Sequence, residues 1–154
     1  MNYEEIKVGD FSIVGISVRT TNEDGKSVED IQKLWADFFS NNVADDIPNR
    51  LSEDIYCMYT DYESDHNGEY TVILGYKVSD TNEISGEYFY KDIPAGKYYK
   101  FVAEGKISEC VGKTWDFIWK SDFKRSYSAD FDVYSAENAF NPEKAKVTTY
   151  LSIE

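Results

Sequence analysis

The order strand, helix, hairpin is written twice along this chain, and that repetition limits what it can fold into. "FSIVGISVRT" (11–20) is apolar, β-branched and nearly continuous, the pattern of a buried strand. A polar loop follows. Ser27, with Asp30 three residues on, forms an imperfect capping box that predicts a helix over "VEDIQKLWADFFSNN". Val28, Ile31, Leu34, Trp35, Phe38 and Phe39 fall on one face of that helix, and Phe39 is expected in the core. "IYCMYTDYE" and "YTVILGYKV" then read as two strands joined by "SDHNG", whose Asn67-Gly68 pair marks a tight turn.

The second unit repeats this order. "GEYFYKDIPAGKYYKFVAEGK" reads as a strand, or two strand pieces broken at "PAG". "SECVGKTWDFIWKS" reads as a helix with Val111, Trp115, Ile118 and Trp119 on one face. "ADFDVYSAE" and "KVTTYLSIE", separated by "NAFNPEKA", are the closing strands. Set side by side, "LWADFF" matches "TWDFIW", so Trp35 answers Trp115 and Phe39 answers Trp119. "YCMY" matches "FDVY", aligning Cys57 with Asp132 and Tyr59 with Tyr134. The common order supports a duplication. The expected fold is α+β: a duplicated strand-helix-strand-strand module forming two pseudo-symmetric halves, each with one main helix against antiparallel strands. A single domain is expected, with half one about residues 1–82 and half two about 83–154, and a ligand groove where they meet.

Charge narrows the partners. With 16 basic and 29 acidic residues, the formal charge is −13. Such a surface repels nucleic-acid backbones and anionic membranes, so neither is expected as a direct partner. "MNYEEIKVGD" has no apolar signal core, and no run approaches the ~18 apolar residues of a spanning helix. A cytoplasmic chain is expected, with Cys57 and Cys110 as free, mostly buried thiols.

The aromatic residues point to a groove. Tyr outnumbers Phe, 13 to 9, although a buried Tyr must find a partner for its hydroxyl. Rings at a half-wet groove explain that excess; β propensity on exposed strand faces is the plainer explanation. In "DFDVY", alternation puts Phe131 and Val133 on one face and Asp132 with Tyr134 on the other. A carboxylate in an aromatic groove would be partly desolvated and would accept a cation. Trp35, Trp115 and Trp119 are candidate lining residues, as are Tyr56, Tyr59, Tyr134 and Tyr150. His66, the only histidine, lies in the "SDHNG" turn, which argues against a histidine triad or histidine-rich metal site. Gly25-Lys26-Ser27 lacks the earlier glycine of a phosphate loop. No cofactor and no metal are expected.

The ordered set "FSIVGISVRTTN", "IQKLWADFF", "YTVILGYKV", "IPAGKYYKF", the Trp115 helix, "DFDVY" and "YLSIE" resembles the GyrI-like family. This is the effector-binding domain of AraC-type and multidrug regulators, and the likeness spans nearly the whole chain. It implies a duplicated module whose halves enclose a ligand groove. In many members a Glu within a Phe-Glu-Val-Tyr-like strand faces bulky, often cationic, hydrophobic ligands. The resemblance places Asp132 there, one methylene shorter. The family's fused members carry a DNA-binding helix-turn-helix; this chain is read as free-standing.

Three functions are open at this point. The first is a non-enzymatic binder of a bulky apolar or cationic small molecule, which accounts for both the aromatic excess and the embedded acid. The second, by analogy to relatives, is a hydrolase of reactive small molecules, with Asp132 as general base and Tyr59 or Tyr134 as acid. The third is an acidic protein partner of a DNA-acting enzyme such as a topoisomerase.

Overall fold

The structure, a computed structural model, describes residues 1–65, 67–137 and 141–154. His66 and residues 138–140 of the "NAFNPEKA" connection lie outside the described residues. In chain order the elements are β1 (Glu4–Val8), β2 (Phe11–Thr21), α1 (Lys26–Ser40), the short α2 (Val43–Asp46), β3 (Ile55–Thr60) and β4 (Glu69–Val78). They continue with β5 (Phe89–Ile93), β6 (Gly96–Gly105), α3 (Ile107–Lys120), β7 (Ala129–Tyr134) and β8 (Ala145–Ser152). Among the described residues the strands form one antiparallel sheet in the order β1-β6-β8-β7-β3-β4-β2-β5.

That order is palindromic about the β3–β7 pair. β2, α1, β3 and β4 correspond to β6, α3, β7 and β8, and the outermost strands β1 and β5 correspond to each other. The correspondence extends to single backbone bonds. Arg50 bridges to Val78 as Arg125 bridges to Ile153; 125 − 50 and 153 − 78 are both 75. The Leu51 amide donates to the Lys77 carbonyl as the Ser126 amide donates to that of Ser152. The Ser79 amide bonds Asn49 as the Glu154 amide bonds Lys124. This is the expected α+β duplication.

β1 pairs with β6, and β5 pairs with β2, so each half's first strand completes the other half's ladder. "EEIKV" is short, charged and half exposed, the makeup of an edge strand rather than a buried run.

The helix starts and faces also differ from expectation. Ser27 does not cap α1: it sits inside the first turn, and the N-cap is Gly25, without a side-chain cap bond. Asp24 and Gly25, at φ 53° and 70°, turn the chain into the helix two residues earlier. Asp30 instead accepts hydrogen bonds from Thr20 and Lys26. Phe39 is 60% exposed rather than in the core. The apolar arc of each helix is wide enough to hold two stripes. Leu34 and Phe38 of α1, and Cys110, Thr114 and Ile118 of α3, face the sheet. The stripes Ile31-Trp35-Phe39 and Val111-Trp115-Trp119 are left on the flanks. Cys57 and Cys110 are buried free thiols.

Under the helices the core is built from Val14, Ile55, Cys57, Val72 and Leu74. The opposite face of the sheet carries its own cluster, with Ile13, Met58, Ile73, Tyr98 and Phe131 at its centre. Among the described residues, no helix is long and apolar enough to cross a membrane.

Gly15 and Gly75 face each other in the β2–β4 register. A Cβ on Gly75 would run into the Val14 carbonyl, and one on Gly15 into that of Leu74, because the two backbones approach too closely for side chains. Gly75→Ala is expected to destabilise the fold by about 2–4 kcal/mol in urea titration. Gly9→Ala, whose new Cβ meets nothing within 4 Å, is expected to be close to neutral.

Candidate functional site

Alternation along β7 sends Asp130, Asp132 and Tyr134 to the helix side of the sheet, and along β3 it sends Cys57 and Tyr59 there. The β3–β7 ladder sets Cys57 directly opposite Asp132. These two positions are also equivalent in the duplication, so they lie on its pseudo-twofold axis.

Above them each helix tryptophan packs on a tyrosine of the other half. Trp115 meets Tyr59 edge-on, with ring centres 5.5 Å apart. Trp35 meets Tyr134 in the same manner at 4.8 Å. The polar groups break this symmetry. Asp132, fully buried, accepts hydrogen bonds from the Trp115 indole N–H (3.1 Å), the Tyr59 hydroxyl (3.1 Å) and the Thr149 hydroxyl (2.5 Å). The equivalent Cys57 thiol donates to the Tyr59 hydroxyl at 3.5 Å.

Burial pushes the Asp132 carboxyl up from 3.8 to about 6, against the pull of its three donors, and the negative charge of Asp130 adds to the rise. Burial likewise holds the Tyr59 hydroxyl well above its ordinary range, reinforced by Cys57 and Asp132, so it stays a donor.

A cavity of about 330 Å³ opens beside this cluster, between the two helices. Ile31 and Ser27 of α1, Tyr59, Tyr62 and Tyr70 of the sheet side, and Val111, Trp115 and Trp119 of α3 form most of its wall. Trp119 is 60% exposed at this wall. Asn22, Gly112, Asp116 and Arg125 complete the lining.

Arg125 belongs to a second buried network. It donates to Asp130 at 2.9 Å, and Asp130 also accepts from the Tyr62 hydroxyl (2.6 Å) and from the Ser152 amide and hydroxyl (both 2.7 Å). Among the described residues, no three His, Cys, Asp or Glu side chains are gathered so as to hold a metal ion.

A family model described as Cass2, integron-associated effector binding protein, matches residues 6–153. The chain belongs to this effector-binding family. YobU of Bacillus subtilis (strain 168), named as a candidate transcriptional regulator, is 31% identical over 145 residues, covering 91% of this chain and 90% of YobU. The integron cassette protein VCH_CASS2 from the mobile metagenome of Vibrio cholerae superposes with a TM-score of 0.77 at 25% identity, over 99% of this chain and 95% of that one. SAV2435, solved bound to tetraphenylphosphonium, has the same fold, with a TM-score of 0.81 at 16% identity, over 100% of this chain and 94% of its own.

Within this effector-binding fold, the residues singled out from the sequence separate into four places. Tyr59, Trp115 and Trp119 line the cavity. Asp132 lies behind Tyr59 and Trp115, bonded to both. Trp35 and Tyr134 pack together on the other side of the pseudo-twofold axis, outside the cavity lining. Tyr56 and Tyr150 belong to the opposite face of the sheet, where they flank Phe131 with ring centres 5.9 and 4.6 Å away. An odd spacing from Tyr59 puts Tyr56 on that face. Sequence reasoning passed over Tyr62, Tyr70, Asp130 and Arg125. Only Asp130 had a readable signal, since it shares the face of Asp132 two residues on.

The raised pKa of Asp132 has a thermodynamic consequence of definite sign. The folded state holds this proton more tightly than the unfolded chain, so its contribution to stability falls as pH rises from about 4 through about 6. A rise from 3.8 to about 6 corresponds to roughly 3 kcal/mol, fully lost by pH 7. Asp132→Asn removes that titration. Urea denaturation from pH 4 to 7 should show the variant gaining on wild type as pH rises, and equal to or above it at pH 7. A difference that does not vary with pH would show that Asp132 ionises without cost.

Proposed function

We propose that the chain is a non-enzymatic receptor for a bulky, apolar, positively charged small molecule, held in the groove between α1 and α3. The observation that carries this reading is the aromatic cavity with a carboxylate buried immediately behind two of its wall residues. Trp115, Trp119, Tyr59, Tyr62 and Tyr70 offer ring surface to a flat or multi-ring ligand, and ring faces attract cations by about 0.5–2 kcal/mol per contact. Asp132 adds an uncompensated negative charge that a cation relieves without touching it. Asp130 contributes less, because Arg125 already balances it. The tetraphenylphosphonium bound by SAV2435 is a ligand of this chemical type.

The enclosure of Asp132 favours a receptor over a hydrolase. Its oxygens are occupied by Tyr59, Trp115 and Thr149, and none of its surface is exposed. A general base must come within about 3 Å of the proton that it takes.

Calorimetric titration with tetraphenylphosphonium and with neutral triphenylphosphine oxide tests this function. Asp132→Asn should weaken the phosphonium by about 1–2 kcal/mol, the size of a charge–charge term across several ångströms of protein interior. It should leave the neutral compound nearly unchanged. Equal losses for both would remove Asp132 from ligand recognition.

A further inference from the structure

The cavity has one wall whose chemistry the capture of an apolar cation does not use. Arg125 lines it with a side chain only 8% exposed. One terminal nitrogen is committed to Asp130, while Nε is buried and, among the described residues, has no hydrogen-bond partner. Its guanidinium carbon lies 4.4 Å from the Tyr127 ring centre and 5.8 Å from that of Trp115. The rings fix the plane of the group but accept its N–H only weakly. A buried donor without an acceptor is costly, and a native site that keeps one calls for an explanation.

Tyr127, which packs over it, holds a backbone φ of 54°, a region that a bulky residue rarely adopts. Ser27, in the first turn of α1, also lines the cavity.

We infer that this wall is an acceptor subsite: the ligand carries, besides its apolar cationic body, a neutral acceptor oxygen such as a carbonyl, which Arg125 receives. A carboxylate fits less well. Asp130 already neutralises Arg125, and the buried Asp132 leaves the surroundings negative. The wall thus sets specificity by hydrogen bonding, while the rings and Asp132 supply attraction. This rests on the reading of the groove as a binding site for apolar cations.

Three benzyltriphenylphosphonium ions with the same shape and different 4-substituents test it: acetyl, isopropyl and carboxylate. Triphenylphosphine oxide serves as an uncharged acceptor. In wild type, the acetyl compound should bind about tenfold tighter than the isopropyl one, the usual size of one buried hydrogen bond, and the carboxylate weakest. Arg125→Lys keeps a cation opposite Asp130 but removes the fork of donors, and should bring acetyl and isopropyl close to equality. The double variant Arg125→Met with Asp130→Asn removes the ion pair as a unit, so that no lone charge is left buried to unfold the chain. It should give the same loss. Equal wild-type affinities for acetyl and isopropyl would overturn the subsite, as would a preference that survives in both variants, or tightest binding of the carboxylate. Binding of triphenylphosphine oxide alone, weakened in both variants, would uphold the subsite while removing the preference for cations. Binding of none of the four would overturn both.

Discussion

The rest of the molecule depends on the ladder between β3 and β7. It joins the two halves at the centre of the sheet, and the same register fixes which side chains meet on the axis between them. Because Cys57 opposes Asp132, Tyr59 and Tyr134 lie one pleat away in opposite directions. Each then falls beneath the tryptophan of the other half's helix. A slip of one residue would send this entire set to the far face and bring up Met58 and Phe131 instead. The exchanged edge strands β1 and β5 work in the same sense: each ties one half's sequence into the other half's ladder, so neither half closes its sheet alone.

Two aspartates two residues apart on β7 meet different fates, and the contrast explains the electrostatics of the groove. Asp130 has a guanidinium, a phenol, an amide and a hydroxyl around it, the full complement that a buried ion pair needs to offset its desolvation. Among the described residues, Asp132 has three neutral donors and no cation. Hydrogen bonds hold its geometry but do not cancel its charge. The groove wall therefore carries a field whose source is shielded from water, and a field from a low-dielectric site reaches farther than one from the surface.

Much of this was legible in the sequence, by rules of alternation and order. The duplicated order gave the palindromic sheet, and the alternation in "DFDVY" put Asp132 and Tyr134 on one face. The same alternation, applied to "IYCMY", places Tyr56 opposite to Tyr59. What could not be read is the rotation of each helix within a wide apolar arc. Leu34 and Trp35 are neighbours on that arc, and only packing decides that Leu34 meets the sheet while Trp35 stays on the flank. The pairing of Arg125 with Asp130 was hidden for a different reason. It depends on the left-handed turn at Tyr127, a residue type that gives no turn signal.

The duplication also explains why the cavity is one-sided. Strict symmetry would put a second carboxylate at position 57, directly across the ladder from Asp132 with backbones about 5 Å apart. Two like charges at that distance in a buried site cannot both ionise readily, since each raises the other's pKa. A thiol at 57 removes the conflict and leaves one charge on the axis. Among the described residues no hydrogen bond holds the Trp35 indole, and it stacks on Phe39 with centres 6.0 Å apart and planes 26° apart. Neither ring lines the cavity, whereas their counterparts Trp115 and Trp119 both do. The carboxylate holds the Trp115 indole by its N–H and so keeps one edge of that ring at the sheet. A single difference on the axis thus gives two halves of the same topology different work, one to fill space and the other to border it.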